Sequence, residues 1–519
     1  MKLSKNSIEW AIKHLNVESD TDLFPCPIEI GIINEKRDDI VKRLIDVDLG
    51  NYRWKPSRRF VVPKDELSYR VITQLDPLDS IILSGIIKEF GHLIEARRIP
   101  ESENVVFGSR FQPNSGGYLY KSDGQWRKFW EYAKEKSQSY ECILKFDISD
   151  FYNQIYHHTI ENQLIESGLP NQVIKSIINL LNSITQRVSR GIPVGPHSTH
   201  LLAELSLIPI DNSLRIRSIE YCRYNDDFIA FCNSFEEARI ILNTVAEILD
   251  KQQRLIIQRQ KTKIFNQPQF HYYCNNHLNI EPVNDIEEEI MKIVKEHSDG
   301  PYTDKIKYED LDQEEKDFFS RIYFDEIIKN YLKEDDGPNY PRIRWIYRRL
   351  TQLGIPQAID YSLENIDRLF PVINDVCLYF SSAAKRYTKN WKRNGSIIVN
   401  KLNSNLFTSS EYFQITLLNL FIYNTSLNHF DSFARIFELS SENMKRKIIL
   451  IAWAIGASDW IREIKENYPR FDVWNKRAVL IAASKLPNEE RRFFYKGIIT
   501  NLSSEDILEH IIIKWGKDQ

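Results

Sequence analysis

The chain has 519 residues, of which 42% are hydrophobic and 27% are charged, as in ordinary globular proteins. Its formal net charge of −3 excludes a protein that is basic throughout, so a nucleic-acid role would need a local basic patch. A chain of this length is too long for one hydrophobic core and predicts two or three domains.

The sequence lacks the signals of membrane and secreted proteins. No apolar run reaches about 18 residues, the length that a spanning helix needs. The N-terminal stretch "MKLSKNSIEWAIKHLNVESD" is charged throughout and has no apolar core of a signal peptide. The six cysteines are scattered without a CxxC pair, which argues against a zinc site. We therefore expect a cytoplasmic protein with unpaired thiols and no membrane attachment.

Three regions follow from the pattern along the chain. Residues 1–115 mix short helical and extended patterns, whereas residues 116–283 alternate strand-like and helix-like segments. Residues 284–519 are almost wholly helical, and the charged stretch at their start, 284–319, is interpreted as a domain junction. The predicted fold class is α+β for the first two regions, followed by an all-α domain.

The helical region contains a faint internal repeat. "KIILIAWA" (447–454) resembles "RAVLIAAS" (477–484) at an offset of 477 − 447 = 30 residues. Stacked helical pairs, as in HEAT-like solenoids, would produce such a pattern. Two ordinary core helices would also produce it, and the two copies do not separate these alternatives.

A basic and aromatic strip lies near the N-terminus, in "RWKPSRR" (53–59). Cationic side chains around an indole ring suit phosphates and a stacked base. An exposed, highly charged loop is an equally good interpretation. The candidate nucleic-acid contacts are Arg53, Trp54, Lys55, Arg58 and Arg59.

Two acidic sites adjoin predicted strands. Asp147 ends the strand pattern "ECILKFDIS" (141–149), and Asp226 and Asp227 occupy a predicted hairpin turn before "FIAFC" (228–232). Adjacent carboxylates repel, so both stay ionised only near a cation. If Asp147 packs beside the hairpin, the three carboxylates suit two Mg²⁺ ions, with Mn²⁺ as an alternative, and phosphoryl transfer. Alone, a pair of aspartates in a turn is more often a solvated turn.

A glycine-rich turn lies between the two acidic sites. Gly191 and Gly195 bracket Pro193, and a long helical pattern begins at about Ser198. Such a turn lets the backbone approach a nucleotide or a template strand closely. After the hairpin, residues 234–255 predict an amphipathic helix with Ser234 as its N-cap.

In this order the three elements resemble the palm of reverse transcriptases. "FDISDFY" resembles motif A, "GIPVGPHSTHLLAEL" resembles motif B, and "YNDD" resembles the YxDD motif C. The resemblance implies a right-hand fingers–palm fold in which Asp147, Asp226 and Asp227 are the catalytic, metal-binding acids. It implies that Tyr152 excludes a ribose 2′-OH, so that deoxynucleotides are preferred, and that Gly195 lies by the nucleotide.

Flanking segments extend the resemblance to roughly residues 50–275. "RRFVVPKDELSYRVITQLDPLDSIIL" (58–83) is similar to the fingers segment, which implies that Lys64 and Arg70 grip the triphosphate of the incoming nucleotide. "QRQKTKIF" (258–265) is similar to motif D, which implies that Lys261 protonates or holds the leaving pyrophosphate.

One departure narrows the family. Val194 stands where many reverse transcriptases have a glutamine in motif B, and a valine cannot make the hydrogen bonds of that amide. A "PVG" motif B and a long helical C-terminal half resemble the bacterial abortive-infection and defence-associated reverse transcriptases. This resemblance implies anti-phage defence and a homo-oligomer. It also implies DNA synthesis that starts from a protein tyrosine, leaving the product covalently attached, or that uses a partner non-coding RNA.

Two other functions remain open from the sequence. A retron-like or group-II-intron-like reverse transcriptase would copy a dedicated RNA. A non-catalytic nucleic-acid-binding scaffold would keep the palm and bind RNA without incorporating nucleotides. We interpret the neighbouring His157 and His158 as structural residues, because Mg²⁺ prefers oxygen ligands.

Overall fold

The computed structural model describes residues 1–18, 24–121, 124–278, 284–297, 308–333, 337–387, 389–503 and 505–519. The chain divides into two compact units. The first comprises Met1–Asp22, Cys26–Arg58 and Thr73–Ile280, and the second comprises Leu23–Pro25, Arg59–Ile72 and Glu281–Gln519. The predicted boundary between 283 and 284 adjoins residues 279–283, which lie outside the described residues, and the three-region division stays a prediction.

The first unit combines a small sheet with helices. Its helices are α1 (Lys5–Val17), α2 (Ile28–Glu35), α3 (Arg37–Leu44), α4 (Pro77–Glu95), α5 (Gln125–Lys136), α6 (Phe151–Gln154), α7 (His157–Glu166), α8 (Asn171–Ile184), α9 (Thr199–Ile216), α10 (Phe235–Gln253) and α11 (Gln267–Leu278). The strands of the chain are β1 (Arg58–Pro63), β2 (Tyr69–Gln74), β3 (Cys142–Asp147), β4 (Tyr221–Tyr224), β5 (Asp227–Cys232) and β6 (Lys263–Asn266). Strands β1 and β2 pair with each other in a separate two-stranded sheet.

Strands β3 to β6 form one antiparallel sheet in the order β4-β5-β3-β6. The two strands that the apolar patterns predicted, β3 and β5, are the central strands of this sheet. Every residue of β3 and five of the six residues of β5 are accordingly buried. Helix α10 also forms where the sequence placed it, and the Ser234 hydroxyl accepts a hydrogen bond from the Glu237 amide at 3.1 Å. These predictions are confirmed.

Alternation along the strands divides the side chains between two covered faces. One face packs an aromatic and aliphatic core against α5 and α11, which includes Phe129, Trp130, Ile143, Ile229 and Phe270. Helix α10 covers the opposite face and packs against α9. Since β3 runs along the middle of this sandwich, its last residue is held firmly at the end of the sheet.

The second unit is helical apart from the hairpin of β1 and β2. Its helices are α12 (Asp285–His297), α13 (Gln313–Arg321), α14 (Phe324–Tyr331), α15 (Tyr340–Leu353), α16 (Ile359–Glu364), α17 (Ile373–Ala383), α18 (Trp391–Leu402), α19 (Asn405–Thr408), α20 (Glu411–Tyr423), α21 (Phe430–Ile436), α22 (Glu442–Ile455), α23 (Ser458–Ile464), α24 (Val473–Ala482), α25 (Asn488–Ile499) and α26 (Ile507–Lys517). Helices α12 and α13 occupy described parts of the predicted junction 284–319.

Six helices of this unit pack in series, each against the next: α15, α17, α20, α22, α24 and α26. The two copies of the sequence repeat lie on the neighbouring helices α22 and α24. Their first residues make buried polar contacts to the flanking helices, Lys447 to Asn419 at 2.6 Å and Arg477 to Glu509 at 2.7 Å. The serial packing agrees with a repeat arrangement, while membership of the HEAT-like class stays a prediction.

The sequence predicted unpaired thiols and no membrane-spanning helix. Cys142, Cys222, Cys232, Cys274 and Cys377 are buried free thiols, and Cys26 is exposed. Within the described part of the chain, no helix combines the length and the apolar character needed to cross a membrane.

Candidate active site

The register of the central strands brings the three aspartates together. Asp147, the last residue of β3, is directly opposite Asp227, the first residue of β5. Asn225 and Asp226 form the turn between β4 and β5, and Asn225 takes a positive φ of 52°, which asparagine tolerates. Because directly opposite residues of an antiparallel pair project from the same face, Asp147 and Asp227 share one side of the sheet, with Asp226 beside them.

The closeness of these carboxylates has an electrostatic consequence at Asp226. Burial and repulsion from Asp147 and Asp227 raise the pKa of Asp226 to about 7. Like charges held together disfavour a further ionised group unless positive charge is added. The site therefore favours a bound cation.

Two lysines supply positive charge to the outer pair of acids. The Lys145 ammonium lies 2.9 Å from Asp227 Oδ1, and Lys261 forms an ion pair with Asp147. Burial lowers the pKa of Lys261, but the hydrogen bond and charge of Asp147, with the charges of Asp227 and Asp226, raise it overall. Lys261 therefore remains an ammonium beside the acids.

Backbone hydrogen bonds explain how Lys261 reaches the site. The Ser149 amide donates to the Ile256 carbonyl, and the Gln258 amide donates to the Asp147 carbonyl, both at 2.8 Å. These bonds fix the segment after α10 along the end of β3. A short 3₁₀ turn, Arg259–Lys261, then presents Lys261 to Asp147.

The donor set suits a hard cation, although the acids are engaged by lysines in this arrangement. Carboxylate oxygens are the ligands that Mg²⁺ prefers, and the raised pKa of Asp226 reflects negative charge that a cation would offset. Among the described residues, no group of three or more His, Cys, Asp or Glu side chains is arranged to hold a metal ion. Binding of ions here would require Lys145 and Lys261 to yield part of their contacts.

A buried ion network supports the hairpin from the opposite face of the sheet. Arg223 of β4 is fully buried and contacts both Glu204 and Asp211 of α9, at 2.9 and 2.6 Å. Its Nη1 also donates to the Asn225 carbonyl at 3.1 Å, within the turn that carries Asp226. Glu204 also forms an ion pair with Arg98, at 2.7 Å. The network links α9 to the acidic turn.

The loop at residues 107–109 contacts the same turn. The Phe107 amide donates to the Arg223 carbonyl at 3.0 Å, and the Ser109 hydroxyl donates to Asn225 Oδ1 at 3.2 Å. A Cβ atom on Gly108 would lie 2.2 Å from Asn225 Oδ1 and 2.5 Å from the Asn225 nitrogen. Only glycine allows this approach, so Gly108 sets the position of the turn.

Tyr152 lies on α6, shortly after Asp147, and is half-buried. Its hydroxyl is 2.6 Å from His200 Nδ1. Burial and the negative charge of Asp226 raise the pKa of Tyr152 well above its usual range. The phenol therefore stays protonated next to the acids.

The glycine-rich turn is bonded to its surroundings through the backbone. Gly191 and Gly195 take positive φ values of 97° and 128°, which require glycine. The Val194 carbonyl accepts a hydrogen bond from the Thr73 amide at 2.8 Å. The turn is thus held by main-chain hydrogen bonds, and the bond at Val194 does not involve its side chain.

Residues 62–275 match the family model for reverse transcriptase (RNA-dependent DNA polymerase). The match includes all three acids, Tyr152 and Lys261, and it supports a reverse transcriptase domain and the class of nucleotidyltransferases. It covers less than half of the chain.

A solved structure of telomerase from Candida albicans, in complex with a fragment of telomeric RNA, is 10% identical in sequence. The match covers 76% of this chain and 71% of the telomerase chain, at a TM-score of 0.33. No curated protein matches the chain.

Two other predicted contacts of the reverse transcriptase domain lie in the β1–β2 hairpin. Lys64 is exposed at the end of the β1–β2 hairpin, and Arg70 lies on β2. Both belong to the second unit, where Glu66 of the same hairpin accepts a hydrogen bond from Tyr340 at 2.7 Å. Their role in nucleotide binding stays a prediction.

The predicted nucleic-acid strip is partly packed into the first unit. Trp54 is half-buried, and its indole nitrogen donates to the Ser176 carbonyl at 3.0 Å. Arg58 bonds Gln74, and the Lys55 amide bonds Asp79. Arg53 and Arg59 are exposed, and Arg59 belongs to the second unit. The role of this strip in nucleic-acid binding stays a prediction. Its exposed arginines, Arg53 and Arg59, are the side chains most accessible to phosphates.

The two histidines after motif A differ in their surroundings. His157 is buried between the Asn182 side chain at 3.0 Å and the Gly191 carbonyl at 2.9 Å, so it braces the glycine-rich turn. His158 is exposed. The structural interpretation fits His157.

Sequence reasoning missed three residues of the site: Lys145, Arg223 and His200. Lys145 is two residues before Asp147 in β3, and this period of two places both on one face. Arg223 is a charged residue within the predicted hairpin strand. A charged residue inside an otherwise apolar strand was therefore a usable signal, whereas His200 offered none.

Proposed function

We propose that the chain is a DNA polymerase that transfers nucleotides from deoxynucleoside triphosphates, with Asp147, Asp226 and Asp227 as its catalytic acids. The observation that supports this most is the pairing of Asp147 with Asp227 across β3 and β5, with Asp226 in the adjoining turn. Three carboxylates on one side of a sheet end suit the binding of Mg²⁺ or Mn²⁺.

The acids would hold two divalent ions. Bound there, such ions stabilise negative charge on the attacking and leaving oxygens of a phosphoryl transfer. The chain itself contributes Lys261, an ammonium beside the acids that would exchange its contact with Asp147 for the departing pyrophosphate. Lys145 would keep part of its contact with Asp227 and thereby limit repulsion among the acids.

The nucleotide would lie against the motif A and motif B segments. Tyr152 would restrict the space for a ribose 2′-OH, and Gly195 would allow the backbone close to the nucleotide. Lys64 and Arg70 would grip the triphosphate, and the strip 53–59 would contact nucleic acid. These four assignments rest on the resemblance to reverse transcriptases.

The template, primer and biological role are inferred from the same resemblance. The polymerase would copy RNA or work without a template, with a protein tyrosine as one source of the priming hydroxyl. It would act in anti-phage defence as a homo-oligomer whose helical second unit is HEAT-like. The altered motif B at Val194 supports this subfamily over retron-like enzymes.

The test is incorporation of radiolabelled deoxynucleotides into acid-insoluble polymer by the purified protein with Mg²⁺. Wild type should incorporate label, and the double variant Asp226→Asn with Asp227→Asn should not. Asp250→Asn, which changes an exposed acid on α10, is the matched control. Equal incorporation by wild type and the double variant would refute the assignment, and RNA binding without any incorporation would indicate the non-catalytic scaffold.

A further inference from the structure

His200 makes a close, directional contact with the ring that borders the candidate nucleotide site. The Tyr152 hydroxyl lies 2.6 Å from His200 Nδ1, and the two rings meet edge to face, with centroids 6.0 Å apart and planes at 82°. His200 is the second residue of α9 and directly follows the glycine-rich segment. The contact therefore joins the motif A and motif B segments through side chains.

The backbone on the Tyr152 side is already fixed. The Tyr152 carbonyl accepts a hydrogen bond from the Ile192 amide at 2.9 Å, and the Ile155 carbonyl accepts one from the Gly191 amide at 2.7 Å. Only rotation of the side chain about its own torsions is left to Tyr152. The bond to His200 removes that rotation by holding the hydroxyl at the far end of the ring.

The backbone on the His200 side is fixed as well. The Thr199 hydroxyl donates to the Pro193 carbonyl at 2.8 Å, and the Ser198 and Ser84 hydroxyls lie 2.8 Å apart in the interior. The Leu201 amide donates to the hydroxyl of the half-buried Tyr120 at 3.0 Å. His200 is thus presented from a rigid first turn, which makes it a suitable anchor.

We propose that His200 is a positioning residue that holds the Tyr152 ring in place and thereby sets the preference for deoxynucleotides over ribonucleotides. The proposal rests on the proposed function. A ring excludes a 2′-OH only while it cannot rotate away, because a mobile ring yields to the extra oxygen. The hydrogen bond supplies the resistance to that rotation.

The test compares kcat/KM for a deoxynucleotide and the matching ribonucleotide. In His200→Ala, the kcat/KM for the deoxynucleotide divided by that for the ribonucleotide should fall by about three- to tenfold, the range expected for one hydrogen bond. The fall should come from a higher kcat/KM for the ribonucleotide. Tyr152→Phe, which keeps the ring and loses the hydroxyl, should give a similar fall. The double variant should fall no further than either single one, because both remove the same bond.

Two variants separate positioning from general damage. His200→Asn places an amide oxygen near the site of Nδ1 and should restore most of the discrimination. His158→Ala removes an exposed histidine from the neighbouring helix and should leave the ratio unchanged. An unchanged ratio in His200→Ala, or fully additive losses in the double variant, would overturn the proposal.

Equilibrium binding gives a second readout that needs no turnover. Calorimetry with dGTP and with GTP, in the presence of Ca²⁺, should show a smaller difference in Kd for His200→Ala than for wild type. If wild type discriminates and His200→Ala discriminates equally, the inference about His200 alone fails. If wild type neither incorporates nucleotides nor prefers dGTP, the proposed function fails and the inference with it.

Discussion

Asp147 and Asp227 lie directly opposite each other on two central antiparallel strands, and each forms an ion pair with its own lysine. Among the described residues, Asp226, in the turn between β4 and β5, has no positive charge as close as these lysines are to the other two acids. Burial and repulsion from Asp147 and Asp227 therefore raise the pKa of Asp226 to about 7. The strands thus create a concentration of negative charge at one end of a rigid sheet.

The buried Arg223 should be essential for stability. Arg223→Met leaves Glu204 and Asp211 buried without their shared cation, which should lower the free energy of unfolding by about 3–5 kcal/mol. Urea unfolding followed by circular dichroism measures this loss. Arg239→Met, at an exposed position on α10, is the control and should change stability little. A loss below about 1 kcal/mol in Arg223→Met would contradict the role of the network.

Gly108 should be required for the position of the acidic turn. In Gly108→Ala the new Cβ would meet Asn225 at 2.2 Å, so the loop and the turn must separate. Nucleotide incorporation should fall more than thermal stability does. The control is Gly31→Ala, where no atom lies within 4 Å and where alanine favours helix α2. Wild-type incorporation by Gly108→Ala would show that the turn tolerates displacement.

Lys261 should matter for the reaction, whereas its neighbour Lys263 should not. Both are exposed lysines near the start of β6, but only Lys261 forms an ion pair with an acid of the site. Lys261→Ala should slow incorporation by about tenfold or more if the ammonium assists the leaving pyrophosphate. Lys263→Ala should retain the wild-type initial rate. Equal rates for both variants would remove Lys261 from the mechanism.

His277 should make the first unit sensitive to mild acid. Its ring stacks on Trp130 at 4.4 Å, and burial with the nearby charge of Lys145 lowers the pKa of His277 to about 4. In the unfolded chain the pKa is about 6.5, so between these values the unfolded state binds more protons. The contribution of His277 to stability should therefore decrease as the pH falls from about 6.5 toward 4, opposite in sign to the contribution of Asp226, whose pKa is raised.

Urea unfolding at pH 7.5 and pH 5 measures this effect in wild type and in His277→Phe, which keeps the ring stack. Measured relative to wild type, the stability of the variant should increase from pH 7.5 to pH 5, because the Asp226 contribution is common to both proteins. A matched change at the exposed His158, His158→Phe, should leave the wild-type pH dependence intact. Identical pH dependence in wild type and His277→Phe would exclude His277 as its cause.

Local pattern was enough to predict the strands and the acids, because their signals lie within short segments. The apolar stretch before Asp147, the "YNDD" turn and the N-cap at Ser234 each depend on neighbours along the chain. Lys145, Arg223 and His200 escaped prediction because their partners, Asp227, Asp211 and Tyr152, lie elsewhere in the sequence. The assignment of Lys64 and Arg70 to one unit with the C-terminal helices was equally hidden, since it depends on tertiary packing.

The most direct test of the account counts divalent ions at the three acids. Electron paramagnetic resonance of Mn²⁺, with a deoxynucleoside triphosphate present, should show two bound ions per chain in wild type. Asp147→Asn should lose at least one of them, whereas Asp250→Asn should keep both. Retention of both ions by Asp147→Asn would contradict the claim that Asp147, Asp226 and Asp227 form one metal-binding catalytic site.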